Sequence, residues 1–345
     1  MCFLMNIMNK IQKEDIQIFA KVFDLKECIA DSRFLITGAT GLIGSTLARC
    51  LLALDCKIKI TCPVRNLEKA RSMYGDEFDK LNFIETDLLE YIDNLSSHDK
   101  FDYIVHCASP TAGQYMKIHP VETYELAIES TSALLRYAKQ YGIRGIVYVS
   151  SLEYYGQNLD DKVIGEDFQG HIDMNSPRSS YPMGKRAAEY LCTAYAEEYD
   201  IPVRIARLTQ TFGAGIAKDD NRVFAQFAKS IINGQDIILH TTGESAKPYC
   251  YTTDCISGIL YILLKGQNGE AYNVANPESY ISIRQLAEYL CKEFNPNVKV
   301  ITELDSSLGY APVTKLCLSS EKLMNLGWKP KYGLKEMYER LLKSI

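Results

Sequence analysis

Tyr181-Pro182-Met183-Gly184-Lys185 sets a phenol and an ammonium four residues apart, which on a helix puts them on one face. A fixed positive charge beside a phenol stabilises the phenolate and lowers its pKa from about 10. Tyr181 then becomes an acid/base usable near neutral pH. Upstream, Ser151 follows the apolar run over residues 145–149. A hydroxyl at the carboxyl end of such a run is suited to hold an oxygen being oxidised or reduced. Tyr-x-x-x-Lys alone is common and often structural, so its weight comes from its company.

That company is a glycine-rich turn. Gly38, Gly41 and Gly44 follow the short apolar run over residues 33–37 and open a helical pattern, with Thr40, Leu42 and Ile43 between them. The first glycine permits a tight turn, the second lets a pyrophosphate approach the backbone, and the third lets helix and strand pack closely. A helix N-terminus there offers free N–H groups and partial positive charge to phosphate. Dinucleotide binding is expected, and Lys185 is then placed to hydrogen-bond a nicotinamide ribose. An acid about twenty positions on would bind the ribose hydroxyls of NAD. Counting along, that place falls to Cys62, with Arg65 just after, and an Arg there suits the 2′-phosphate of NADP. NAD and NADP both stay open, with a lean to NADP. Asp87 either receives adenine or caps the next helix. Leu88, Ala108 and Ser109, also at strand ends, complete the candidate cofactor contacts.

These groups need a scaffold, and the spacing supplies one. Apolar strands are expected over 33–37, 57–62, 81–84, 103–106, 145–149 and 203–206. Helices are expected over 45–53, 121–141 and 181–199. Strands alternating with helices indicate an α/β doubly wound parallel sheet covered on both faces. Ligands bind beyond the carboxyl ends of such strands, where each polar cluster above falls. After about residue 209 the pattern loosens. Helices over 223–233 and 283–294 and a strand over 236–239 suggest a smaller C-terminal substrate-binding lobe. The expected division is a helical extension at 1–32, a dinucleotide-binding domain at 33–209, and a lobe at 210–345 with segments crossing back to the sheet. Residues 10–29 read as one or two short helices packed on the dinucleotide-binding domain, with partner docking as the other reading.

Composition narrows the class. The 345 residues carry 38 Lys+Arg against 43 Asp+Glu, and 47% are apolar. This excludes a disordered tail or a fibre, and the absence of a basic stripe argues against nucleic acid. The 11 cysteines include no Cys-x-x-Cys pair and no zinc spacing, so no metal is expected. They read as reduced, buried residues of a cytoplasmic protein. No signal peptide and no membrane-spanning run are evident.

In combination these residues resemble the extended short-chain dehydrogenase/reductases, in the NAD-dependent epimerase/dehydratase group. The carrying motifs are Thr37 to Gly44, His106-Cys-Ala-Ser-Pro110, Val149 to Gly156 and Tyr181 to Lys185, with later matches at Gly243 to Asp254, Tyr272-Asn-Val274 and Leu326-Gly-Trp328. The subgroup most similar is UDP-glucuronate decarboxylase, through Glu166-Asp167, Gly170-His171, Pro177-Arg178 and Gly184 to Glu189. The resemblance implies a Rossmann-type fold, a nicotinamide cofactor, a nucleotide-diphosphate sugar substrate and a homodimer through the helices at 121–141 and 181–199. Tyr124, Leu134, Leu191 and Tyr195 belong either to that interface or to the monomer core.

By resemblance, Ser151 is the hydroxyl partner, Tyr181 the base and Lys185 its electrostatic support. Glu153 falls on a second acid/base position; its other reading is a carboxylate bonded to a loop. Ser109, Ser151, Gln210, Arg222 and Lys247 are candidate substrate contacts, with surface charge as the other reading of Arg222 and Lys247. Leu152 replaces the polar residue at a dehydratase's proton donor, and Met183 replaces an acid carried by decarboxylases. Gln210 and Ala127 each replace an Asn, and Lys247 replaces an Arg, keeping the charge without the fork. The expected activity is transient oxidation of a sugar hydroxyl leading to epimerisation or decarboxylation. The alternatives are an NAD(P)H-dependent reductase of a keto-sugar or sugar-alcohol precursor, and a non-catalytic nucleotide-binding protein.

Overall fold

The structure, a computed structural model, describes residues 8–110, 113–217, 219–305 and 311–345. Its frame is a seven-stranded sheet ordered 271–274, 203–208, 145–151, 103–106, 33–37, 59–64, 82–85. All neighbours run parallel. The strands are near-continuous apolar runs because both faces are covered. Along Arg33–Thr37, Phe34 and Ile36 enter the core on one face and Leu35 the core on the other. The chain turns one way from Arg33–Thr37 to Lys59–Val64, then returns to Tyr103–His106 on the opposite side. The crevice for a ligand opens at that switch point, beyond the carboxyl ends.

One face is covered by the helices Leu42–Ala53 and Thr252–Lys265, the other by Pro120–Tyr141 and Ser180–Tyr199. The smaller lobe has a three-stranded sheet of Gln210–Phe212, Ala246–Tyr251 and Asn276–Ser282. The helices Val223–Asn233, Ile283–Phe294 and Leu334–Leu342 pack around a second core containing Phe212, Phe224, Tyr249 and Tyr338. The chain after residue 210 also contributes to the large sheet: Thr252–Lys265 lies on it and Ala271–Val274 forms its edge.

Two boundaries need correction. The helix after the glycine turn begins at Leu42 and not at 45, because the N–H of Ser45 already bonds the Gly41 carbonyl. The second strand spans Lys59–Val64 and not 57–62. Leu54 to Ile58 form the connection, with Asp55 and Lys57 in left-handed conformations, and this delays the strand. At the N-terminal end, the helix Lys10–Val22 puts Ile16 and Phe19 into the main core, and Phe23 just beyond it stacks on Phe19. Burying one such side chain is worth about 1.5–3 kcal/mol.

Candidate active site

The glycine turn has the geometry its sequence implies. Gly38 has φ +70°, and a Cβ there would lie 2.9 Å from the Ala108 nitrogen. A Cβ on Gly44 would collide with the Gly38 carbonyl, so the helix can close on the turn only without one. At Gly41 a Cβ would meet only that carbonyl, at 3.4 Å, leaving the far side open. No side chain caps the helix at Leu42, Ile43 and Gly44, so its first N–H groups are left for an anion. Thr40 sits in the turn itself. This cradle fits a dinucleotide pyrophosphate.

The next strand ends at Val64, so the residue at its carboxyl edge is Arg65, exposed to solvent. Cys62 is fully buried in the core and is not the ribose position that counting suggested. The nearby carboxylates each use one oxygen on backbone N–H groups. Glu85 accepts the Leu67 N–H at 3.0 Å, and Asp87 caps the helix Leu88–Asp93 by accepting from Leu89 at 2.9 Å. Of the two readings of Asp87, the structure displays the cap.

Tyr181, Lys185 and Ser151 converge across the crevice. Tyr181 opens the helix Ser180–Tyr199, and its hydroxyl hydrogen-bonds Ser151 at the strand end and Ser109 beyond the strand Tyr103–His106. Lys185 is buried, donates to the Val149 carbonyl at 2.8 Å, and lies 5.5 Å from the Tyr181 ring centre. Burial lowers its pKa to about 8, against the pull of Glu189. The phenol goes the other way from the sequence expectation. Burial raises its pKa, Glu153 raises it further, and the bonds from Ser151 and Ser109 and the charge of Arg178 oppose this. Burial is the larger cause, and the Lys185 ammonium, which donates to a backbone carbonyl, does not offset it.

Glu153 pairs with Arg178 at 2.8 Å, both partly exposed. Lys247, on Ala246–Tyr251, has its pKa lowered by burial and feels both of these charges, Glu153 favouring its ammonium and Arg178 opposing it. Ser151, Ser109, Tyr181, Glu153, Arg178 and Lys247 therefore share one cluster. Sequence reasoning missed Arg178 as a site residue, although its place three residues before the phenol was the available signal. Gln210 is half-buried on the strand beside Lys247's, opposite Tyr249. Arg222 stands apart, paired to Asp220 at 2.6 Å and lying over Phe224. Ala127 is buried, and a Cβ on Gly184 would come 3.2 Å from its Cβ, so two small residues let the helices cross closely.

Behind the site, Ala108 N–H donates to Thr37 Oγ1 at 3.1 Å, and Thr37 hydrogen-bonds His106 at 2.7 Å. His106 also reaches Ser130 at 3.0 Å, and burial lowers its pKa to about 3. A neutral imidazole thus ties the glycine-turn strand to the helix Pro120–Tyr141. Among the described residues no His/Cys/Asp/Glu group is placed to hold a metal ion.

A parallel sheet with a glycine turn and a Ser–Tyr–Lys set at its carboxyl edge defines a nicotinamide-dependent oxidoreductase of the extended short-chain dehydrogenase/reductase type. A family model places this chain further: residues 34–275 match, and the protein belongs to the NAD dependent epimerase/dehydratase family. UDP-glucuronic acid decarboxylase 3 of Arabidopsis thaliana is 29% identical over 317 residues, covering 90% of this chain and 88% of that one. UDP-glucuronic acid decarboxylase 1 of Xenopus tropicalis is 28% identical, covering 88% and 70%. Among solved structures, the UDP-glucose 4-epimerase of Thermotoga maritima superposes with a TM-score of 0.78 at 20% identity, covering 90% of this chain and 98% of that one. The UDP-glucuronic acid 4-epimerase of Bacillus cereus, solved with NAD, gives 0.72 at 22% identity, covering 90% and 98%.

Proposed function

We propose that this enzyme oxidises a hydroxyl of a nucleotide-diphosphate sugar transiently, and that the ketone so formed permits epimerisation or decarboxylation. The observation that carries this reading is the Tyr181 phenol, bonded to Ser151 and Ser109 and flanked by Glu153, Arg178 and Lys247. A bound nicotinamide dinucleotide would supply the hydride acceptor and, in its oxidised form, a positive charge near the phenol. Tyr181 takes the hydroxyl proton, Ser151 and Ser109 hold the oxygen, and Lys185 stabilises the phenolate from behind. Glu153 is the second acid/base. Lys247 together with the Arg178–Glu153 pair leaves one net positive charge in the cluster, which suits an anionic group such as a hexuronate carboxylate. Leu152 offers no proton, which disfavours dehydration.

The cofactor contacts in this reading are Gly38, Thr40, Gly41, Leu42, Ile43, Gly44, Arg65, Asp87, Leu88, Ala108, Ser109, Tyr181 and Lys185. Arg222 reaches the diphosphate by exchanging Asp220, and Gln210 lines the sugar site. We propose the same domain division as the sequence suggests, a cytoplasmic location in keeping with the free thiols, and a homodimer through Pro120–Tyr141 and Ser180–Tyr199.

A second reading, a reductase consuming NADPH, is favoured by Arg65 at the ribose edge. Mass spectrometry decides between them. Purified protein is incubated with a nucleotide-sugar panel, with and without NADPH, and its released small molecules are identified. Retained dinucleotide and a product formed without net cofactor loss support the internal cycle. A product two hydrogens heavier, formed only with NADPH, would replace it with the reductase.

A further inference from the structure

The helix Lys10–Val22 precedes the stretch matched by the family model, which begins at residue 34. We propose that this helix is a clasp that positions residues 213–217 at the mouth of the sugar-nucleotide cleft, with Asn9 and Gln12 as its positioning residues. The proposal rests on the functional reading in which the chain leading to Arg222 borders the diphosphate.

Asn9 acts at both ends of its amide. Its Oδ1 accepts the Gln12 N–H at 2.9 Å, capping the helix, and its Nδ2 donates to the Ala214 carbonyl at 2.5 Å. Gln12, only 9% exposed, is packed on Gly215. A Cβ at Gly215 would lie 2.5 Å from Gln12 Nε2 and 3.6 Å from Leu42 Cδ1. Leu42 is the first residue of the helix after the glycine turn. The loop backbone is thus held between the N-terminal helix and the start of the cofactor helix.

One turn further along, the same helix grips two more parts of the lobe. The buried Asp15 carboxylate accepts the Tyr251 hydroxyl at 2.5 Å and the Arg340 Nε at 2.6 Å. Tyr251 ends the strand that carries Lys247, and Arg340 lies on Leu334–Leu342. Meanwhile Ile16 and Phe19 share a core with Leu47 and Leu51 of the cofactor helix. One element therefore holds the cofactor half and three lobe segments together. Gly213-Ala214-Gly215 has little intrinsic stiffness, and its internal tie is a long bond from Ile216 N–H to the Gly213 carbonyl at 3.3 Å. The Asn9 and Gln12 contacts supply the order that the loop sequence lacks.

Asn9→Asp separates capping from positioning. Aspartate caps a helix as well as asparagine, but its carboxylate has no N–H to donate to Ala214. The variant, with Gln12→Ala and the exposed-face control Lys13→Ala, is compared with the wild-type full chain by hydrogen exchange and by calorimetric titration with UDP at saturating cofactor. Asn9→Asp and Gln12→Ala are expected to keep the wild-type melting temperature within a few degrees. They should speed exchange in residues 213–217 by about tenfold. UDP binding should weaken about fivefold, and with a turned-over sugar nucleotide KM should rise with kcat unchanged. Unchanged exchange and UDP affinity overturn the clasp, as does faster exchange with unchanged UDP affinity. If wild-type protein binds neither UDP nor any sugar nucleotide, the functional reading fails, and the exchange measurement still decides whether the helix orders the loop.

Discussion

At the scale of residues, burial and not the nearby ammonium sets the free phenol's state. Tyr181 is a neutral proton carrier until more positive charge arrives, while Lys185 is poised near pH 8. Tyr181→Phe removes one oxygen from an otherwise unchanged ring, so circular dichroism should show an intact fold while kcat falls by about 10²–10⁴. In the proposed cycle a charged Lys185 supports the phenolate, so kcat/KM should decline as pH rises past about 8. Stability moves oppositely. The folded-state pKa lies below the unfolded value, so between pH 8 and 10.5 the unfolded chain binds more protons and stability rises with pH. Denaturant titrations of wild type and Lys185→Met across that window should differ in slope; parallel slopes would refute the shift.

At the scale of elements, the helices Pro120–Tyr141 and Ser180–Tyr199 cross where Ala127 meets Gly184. That close crossing carries Tyr181 and Lys185 to the strand end. Ala127→Asn should cost about 1–3 kcal/mol by overpacking, read from the urea midpoint. His106 is the other positioning device, holding Thr37 and Ser130 as a neutral ring. Its folded pKa lies below the ordinary 6.5, so the stability it contributes is lost as pH falls from 6.5 towards 3. The advantage of wild type over His106→Gln should therefore shrink on acidification through that window, measured by thermal unfolding; a constant difference would contradict it.

At the scale of the molecule, the site is a seam between two cores. The large sheet supplies Ser151, Ser109 and the glycine turn, and the lobe supplies Lys247 and Gln210. The N-terminal helix and the C-terminal helix meet through Asp15 and Arg340, so both chain ends brace that seam. On the outer side, Val121 is 60% exposed and Tyr190 73%, on the two long helices that cross beside the site. Leu134 is core, while Leu191 and Tyr195 pack partly against it. Sedimentation at micromolar concentration should give a dimer, and substituting Tyr190→Glu should shift it to monomer; a wild-type monomer would refute the assembly. Among the described residues no helix is long and apolar enough to cross a membrane.

The periodic, local features were legible in the chain. Strand–glycine turn–helix, the four-residue spacing of Tyr181 and Lys185, and the long amphipathic helices follow from nearest-neighbour sterics and residue period, which are written residue by residue. The second strand's start was not, because two left-handed residues in its connection shift the register that counting assumes. Nor was the ionisation of Tyr181, which depends on how much water the fold removes and on where Lys185's hydrogen bond goes. The meeting of Glu153, Arg178 and Lys247, and the bracing of residues 213–217 by Asn9, join segments up to 205 positions apart in the chain. Such contacts are products of tertiary packing, since no local preference specifies which distant surfaces come together.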